Sequence, residues 1–245
     1  MADLAAAYLE TREHLLPILL DLTPGQLETK VPFSPEWSVR DVVAHMASEA
    51  HALVGEGIPA GLFFLDEKRR QERSSVINAW NAGQVERRRG LSLGEILDQW
   101  EADVPAMLEA LRGVRPFPSP YPGQDYVAVV DLAMHAQDIR NLAGRPGDRE
   151  SAGVGFALPS FGFVLSRRIT EVGLPALELR YDAKTRVLGE GEPGASITAT
   201  RYELVRALAN RRSNNQIRAY QWTGDPEPYL PIIPAYNARD DDIVE

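Results

Sequence analysis

A change in the spacing of apolar residues near residue 150 is the strongest constraint on how this chain can fold. Over roughly the first 142 residues, apolar side chains recur at the spacing of amphipathic helices, and no segment alternates convincingly as a strand. Beyond the polar, Gly- and Pro-rich stretch 145–153, short alternating runs appear between helices, the clearest being Leu177–Tyr181. The sequence therefore predicts an α+β chain, with a helical bundle at residues 1–150 and a small α+β domain at residues 151–245.

Capping signals place the starts of several helices. Ser38 with Asp41, and Ser92 with Glu95, each set a hydroxyl before a helix and an acid three residues later, which is the capping-box pattern. In the second part we expect a few antiparallel strands covered by helices. The predicted helices cover 2–20, 38 to the glycines at 55–57, 66–89, 92–111, 125–142 and 156–171, and two short helices open at capping boxes that begin at Thr200 and Ser213.

The chain contains no cysteine and four histidines. The lack of cysteine excludes disulfides, a thiolate zinc site, a cysteine nucleophile and an iron–sulfur cluster held by protein thiolates. Two histidines, His14 and His51, stand among polar neighbours and are expected at the surface. Any bound metal must be held by imidazole nitrogen and carboxylate oxygen.

Negative charge is concentrated in the first part of the chain. Residues 1–150 carry 15 Lys and Arg against 23 Asp and Glu, a net charge of -8, whereas residues 151–245 carry 11 against 12, a net charge of -1. Nucleic-acid binding requires clustered positive charge, so no nucleic-acid partner is expected. No apolar stretch approaches the roughly 20 residues that span a bilayer, and the first residues hold an acid where a signal peptide holds cations. We therefore expect a cytoplasmic protein with no membrane partner.

One constellation of residues could bind a metal. Asp131 and His135 are four residues apart on one predicted helix, so their side chains share a face. His45 lies in the apolar run 42–46 and is expected to face the bundle interior, where it could be a third ligand. Three protein ligands leave a position open for water or substrate, as in catalytic zinc sites. The alternatives are a hydrogen-bonded core histidine and a chance spacing.

Two acidic residues near this constellation have more than one interpretation. Asp138 could accept the remaining ring N–H of His135, a common role beside metal ligands, or it could pair with Arg140. Glu49 follows His45 by one helical turn and could be a further oxygen ligand, a base or a surface residue. The spacing alone leaves these alternatives open.

Several stretches resemble the mycothiol-dependent maleylpyruvate isomerase family. Residues 35–45, Pro-Glu-Trp-Ser-Val-Arg-Asp-Val-Val-Ala-His, resemble the signature of its DinB-like bundle, in which a tryptophan, a hydroxyl cap and an aspartate precede the first metal-binding histidine. Residues 131–138 are similar to its carboxylate-x-x-x-His motif with a trailing aspartate. Residues 203–213 and 222–225 resemble its C-terminal domain. The resemblance covers nearly the whole chain in the right order.

The resemblance implies a fold, a metal and a reaction. It implies a DinB-like four-helix bundle that holds a divalent metal, usually zinc, at His45, Asp131 and His135. It implies mycothiol as thiol co-substrate and a catalytic arginine of the C-terminal domain, which by position is Arg211, with Arg212 as the fallback. The implied activity is S-transfer to, or cis–trans isomerisation of, a small electrophile that could be anionic.

Two positions depart from the family pattern. The family's enzyme has glutamate where this chain has Asp131, and the shorter side chain sets its oxygens closer to the helix. Asn210 stands before Arg211 where the family has glycine. Two other functions therefore stay open: a catalytically silent metal- or ligand-binding module of the same fold, and a metal-dependent hydrolase that uses water as the nucleophile.

Overall fold

Helices form most of the first of two units, Met1–Gly153 and Val154–Glu245, into which the chain divides. The computed structural model describes residues 3–55, 57–58, 70–118, 123–235 and 238–245. The elements of the first unit are α1 (Leu4–Asp21), α2 (Pro24–Leu27), β1 (Lys30–Val31), β2 (Ser34–Ser38), α3 (Val39–Val54), α4 (Arg70–Glu86), α5 (Leu93–Leu111) and α6 (Gln124–Leu142). Helices α1 and α3 each pack against both α5 and α6, which gives the four-helix bundle that the sequence predicts.

Local sequence signals set the starts of two bundle helices. At α3 the backbone N–H of Ser38 donates to Asp41 Oδ2 at 2.8 Å, and the N–H of Asp41 donates to Ser38 Oγ at 3.2 Å. The same reciprocal exchange joins Ser92 and Glu95 at the start of α5. Both predicted capping boxes are confirmed. The helix predicted at 66–89 corresponds to α4, which ends at Glu86, and residues 66–69 lie outside the described residues.

The bundle core consists of the apolar faces of these helices. Leu15, Val43 and Met107 are fully buried, and each such side chain contributes about 1.5–3 kcal/mol by leaving water. Trp100 is also buried, and its indole N–H donates to the hydroxyl of Tyr8 at 2.8 Å. Among the described helices, none combines the length and apolar character that a membrane crossing requires.

A small hairpin corrects the expectation that the first part of the chain has no strands. Strands β1 and β2 pair antiparallel, with an irregular register between Lys30 and Val31, and the ammonium group of Lys30 donates to the carbonyl of Glu36 at 2.6 Å. The strands have two and five residues and include a proline, so neither produces a recognisable alternation. The hairpin leads directly into the Ser38 cap and thereby fixes where α3 begins.

The second unit contains a four-stranded sheet with strand order β4-β3-β5-β6. The strands β3 and β5 run parallel, whereas the other neighbours are antiparallel. The expectation of a few antiparallel strands is therefore confirmed for two of the three strand pairs and wrong for β3 and β5, because β5 returns on the free side of β3 in the same direction, and alternation carries no information about strand direction. The elements of the second unit are α7 (Ala152–Glu171), β3 (Ala176–Tyr181), β4 (Lys184–Leu188), β5 (Pro193–Thr198), α8 (Arg201–Leu208), α9 (Asn214–Arg218) and β6 (Gln221–Thr223).

One of the two capping boxes predicted in the second part is incomplete. Thr200 Oγ1 accepts from the N–H of Glu203 at 3.2 Å, but the Glu203 carboxylate pairs with the guanidinium of Arg212 at 2.7 and 2.9 Å. A charge-assisted bidentate pair is stronger than a bond to a backbone N–H, so the glutamate turns away from the cap. The box of Ser213 and Gln216 is confirmed, with bonds of 2.9 and 3.0 Å.

Candidate metal centre

Two bundle helices bring the three predicted metal ligands together. His45 lies on α3, and Asp131 and His135 lie one turn apart on α6. His45 Nε2 is 3.1 Å from Asp131 Oδ2, and His135 Nε2 is 3.6 Å from the same oxygen. One candidate ligand atom from each residue lies within 4.8 Å of the others, so the three side chains could hold one metal ion.

The two imidazoles are covered, whereas the carboxylate is accessible. The rings of His45 and His135 are perpendicular, with centroids 5.0 Å apart, and their side chains are only 6% and 5% exposed. The side chain of Asp131 is 30% exposed, so solvent or a ligand can approach the centre beside it. The remaining histidines, His14 and His51, are exposed by 46% and 55%, as the sequence predicts.

Asp138 lies beside the other ring nitrogen of His135. Its Oδ2 is 3.3 Å from His135 Nδ1, and its side chain is 3% exposed. The alternative partner, Arg140, forms its ion pair with Asp148 instead. Nδ1 of His135 makes no hydrogen bond to a described residue, so Asp138 acts on the ring as a nearby negative charge, in the position where a carboxylate commonly orients a ligating imidazole.

Glu49 provides a second carboxyl group in this region. It is buried on α3 one turn beyond His45 and hydrogen-bonds with Asp131. Burial raises the pKa of Glu49 well above its usual range, and the neighbouring Asp131 charge raises it further. Burial also acts to raise the pKa of Asp131, but the charges of His135 and His45 and the hydrogen bonds from His45 and Glu49 hold it well below its usual range.

These residues fit a divalent cation. Two imidazole nitrogens and one carboxylate oxygen are the donor types found in three-ligand zinc sites. Asp131 and Glu49 also place two carboxyl groups in contact inside the bundle, and negative charge in such a place needs a proton or a cation to compensate it. His45, Asp131 and His135 would hold the metal, with Glu49 and Asp138 next to the ligands.

Aromatic rings from the hairpin flank the two imidazoles. The ring of Trp37 lies 5.1 Å from that of His45, and the ring of Phe33 lies 6.1 Å from that of His135, measured between centroids. Trp37 belongs to the family-like stretch 35–45, but its contact with the site could not be read from the sequence. Phe33 was missed because no hairpin was predicted, and no motif marks it.

The predicted catalytic arginine lies in the second unit, between α8 and α9. Arg211 is buried, and its Nη1 donates to the carbonyl of Ala209 at 2.7 Å. Asn210 before it has a φ of +66°, a left-handed conformation that asparagine adopts more readily than most residues, so it can replace glycine there. The fallback, Arg212, also binds Glu245 at 3.0 Å. The catalytic role of Arg211 stays a prediction.

The fold and the site define an α+β protein whose helical bundle carries a candidate His–Asp–His metal centre. Residues 9–140, more than half of the chain, match the family described as the mycothiol maleylpyruvate isomerase N-terminal domain. The chain therefore belongs to this family.

Two solved structures of a mycothiol-dependent maleylpyruvate isomerase are similar to this chain. One, a histidine-to-alanine mutant, is 14% identical with a TM-score of 0.47, and the similarity covers 90% of this chain and 91% of that chain. The other is 15% identical with a TM-score of 0.45, covering 85% and 88%. A comparison with curated proteins found no match.

Proposed function

We propose that this chain is a metal- and thiol-dependent enzyme. It uses a low-molecular-weight thiol, mycothiol, for S-transfer to a small electrophile or for cis–trans isomerisation of it. The observation that carries the proposal is the convergence of donor atoms from His45, Asp131 and His135 within 4.8 Å. Membership of a family named for mycothiol and maleylpyruvate isomerase supports the thiol and the reaction class. Zinc is the proposed metal because the donors are two nitrogens and one oxygen.

The residues of the site would align and shield the reactants. A divalent cation, when bound there, lowers the pKa of a nearby thiol and stabilises the thiolate. Asp138 lies 3.3 Å behind the ring of His135, so its negative charge faces Nδ1 and leaves Nε2 directed at the centre. Asp131 borders the accessible side, which lets the thiol and the electrophile enter.

S-transfer and isomerisation both begin with the formation of a bond between sulfur and carbon. The sulfur forms a bond to an electrophilic carbon, and the thiol proton passes to solvent. If that carbon carries a leaving group, its bond breaks as the S–C bond forms, and the group departs with the electron pair, which is transfer. If the carbon belongs to a conjugated double bond, addition moves the π pair toward the conjugated carbonyl, and the resulting single bond rotates. Elimination then restores the double bond, and the sulfur leaves as thiolate with the pair of the S–C bond and regains its proton from solvent. The second sequence leaves the atoms of the electrophile unchanged, which is isomerisation.

We assign Arg211 to an electrophile that carries a negative charge. The support is its place in the family-like stretch 203–213 and its bond to Ala209, which holds the guanidinium in one orientation. Arg211→Gln should raise KM for a carboxylate-bearing electrophile and leave KM for a neutral one unchanged. An equal change for both would contradict this assignment.

Metal analysis and adduct formation test the proposal together. The purified protein should bind about one equivalent of a divalent metal, and Asp131→Asn and His135→Ala should lose it. Because the chain contains no cysteine, any new thioether that joins a thiol sulfur to an electrophile after incubation with mycothiol and an electrophile panel must contain the sulfur of the added thiol.

Each alternative predicts a different result in these assays. Less than about a tenth of an equivalent of metal after dialysis against divalent ions would contradict the proposal. Turnover without any thiol would favour a hydrolase. Full metal occupancy with no turnover of any electrophile would favour a silent binding module.

A further inference from the structure

The β1–β2 hairpin sets one aromatic ring beside each imidazole of the metal centre. The Trp37 ring is tilted by 43° to that of His45, and the Phe33 ring by 59° to that of His135. Both aromatic side chains are half-buried, whereas the imidazoles are almost completely covered. Each ring therefore contacts an imidazole and still offers part of its own surface to solvent.

Trp37 differs from Trp100 and Trp222 in the hydrogen bonding of its indole N–H. Trp100 is 1% exposed and donates its indole N–H to Tyr8. Trp222 donates its indole N–H to the carbonyl of Ile217 at 2.9 Å. The indole N–H of Trp37 makes no hydrogen bond to any residue that the structure describes. Trp222 is half-buried like Trp37, so what separates Trp37 from both is an indole N–H with no partner among the described residues, although a tryptophan N–H that leaves water usually finds one.

The two cations at the hairpin each have a partner on the protein. The Lys30 ammonium group donates to the carbonyl of Glu36, and the guanidinium of Arg40, just after the hairpin, is paired with Glu28.

Flat π surfaces bind flat unsaturated molecules by offset stacking or edge contacts. We propose that Trp37 and Phe33 form an aromatic wall that binds the planar, unsaturated part of the electrophile next to the metal centre. This inference rests on the proposed function and specifies its substrate class: aromatic or conjugated electrophiles, in preference to small saturated ones. Asp131, the accessible ligand, would lie near the reacting carbon.

Two electrophiles of different shape test the wall. 1-Chloro-2,4-dinitrobenzene is planar and aromatic, and iodoacetamide is small and saturated at its reacting carbon. With mycothiol as the thiol, Trp37→Leu should raise KM for the aromatic compound about three- to tenfold, with kcat unchanged, because one stacking contact is lost. The kinetic constants for iodoacetamide should stay the same. Trp37→Phe keeps an aromatic face and should restore most of the binding.

Two further measurements separate the wall from a structural role. Metal content should be equal in wild type and Trp37→Leu. Without thiol, the dinitrobenzene should quench tryptophan fluorescence saturably in wild type and in the matched control Trp222→Leu, and this saturable part should disappear in Trp37→Leu. The absence of cysteine keeps the protein free of thiol arylation during the titration.

The outcomes test the aromatic wall separately from the proposed enzymatic function. Saturable, Trp37-dependent quenching with no thiol transfer would retain the wall and contradict the proposed function. Thiol transfer with the same KM in wild type and Trp37→Leu would overturn the wall and retain the function. Loss of metal in Trp37→Leu, restored in Trp37→Phe, would make Trp37 a support for His45 and would also overturn the wall.

Discussion

At the scale of single residues, the side chain of Asp138 lies beside the nitrogen of His135 that faces away from the candidate centre. Its carboxylate lies 3.3 Å from Nδ1, while Nε2 lies 3.6 Å from Asp131. A carboxylate that faces Nδ1 favours a proton on that nitrogen, which leaves the Nε2 lone pair available to a cation. Asp138 is nearly completely covered, so water does not weaken the interaction.

Replacing Asp138 by Asn should therefore weaken metal binding without removing any ligand. We expect a roughly 10- to 100-fold higher dissociation constant for zinc in Asp138→Asn, because the neutral amide holds the imidazole proton less strongly. Competition against a chromophoric chelator measures the constant. Asp98→Asn, at an exposed position on α5, is the matched control and should bind zinc like wild type. Equal affinity in all three proteins would show that Asp138 does not orient the ring.

The sequence predicted one half of the site more directly than the other. Asp131 and His135 share a helix face because their spacing matches a helical turn, which is a local property. Their meeting with His45 depends on how α3 packs against α6, 86 residues away along the chain, and spacing alone does not specify that contact. The resemblance to the family predicted that His45 joins Asp131 and His135. The position of Phe33 depends on a hairpin with no periodic signal, so neither route predicted it.

At the scale of elements, the sequence predicted helix starts correctly where the bonds that form the capping box join residues close together in the chain. The boxes at Ser38, Ser92 and Ser213 formed between residues three positions apart, and the box at Ser213 persists although its hydroxyl also donates to Asp242. The box at Thr200 failed because Glu203 finds Arg212, a partner nine residues away. A short-range pattern cannot show which long-range cation will be present.

Gly189, at the end of β4, tests how tightly the sheet of the second unit packs against α7. Its φ is +91°, and an added Cβ would lie 2.5 Å from Cγ2 of the fully buried Ile169. Gly191 has a φ of +81° with open space around it. Alanine at either position should lose about 1–3 kcal/mol of unfolding free energy to backbone strain, and Gly189→Ala should lose about 1–3 kcal/mol more to overpacking.

Urea denaturation followed by circular dichroism measures both variants. The difference between Gly189→Ala and Gly191→Ala isolates the steric contribution, because the backbone conformations of the two positions are similar. Equal losses would show that Ile169 moves aside without strain, and the contact would then be less tight than its geometry indicates.

At the scale of the whole molecule, the two units depend on different interactions. All three candidate metal ligands lie in the first unit. In the second unit, the carboxylate of Glu245 binds Arg206 at 3.2 Å and Arg212 at 3.0 Å, and Gln216 donates to the carbonyl of Ile243 at 2.8 Å. These bonds attach the last residues of the chain to α8 and α9. The ion pairs of Glu245 are almost completely buried, with side-chain exposures of 1–6%.

Glu245→Gln should destabilise the second unit and leave metal binding intact. Removing one partner of a buried ion pair reduces unfolding free energy by about 3–5 kcal/mol; here the loss falls mainly on Arg206, because Arg212 keeps its pair with Glu203. The control is Glu171→Gln, which breaks an exposed pair with Arg167 on α7 and should lose less than about 1 kcal/mol. Denaturation measures stability, and the chelator competition measures zinc affinity in the same samples. Weaker zinc binding in Glu245→Gln would contradict the separation, since it would show that the alignment of the ligands in the first unit depends on the packing of the second.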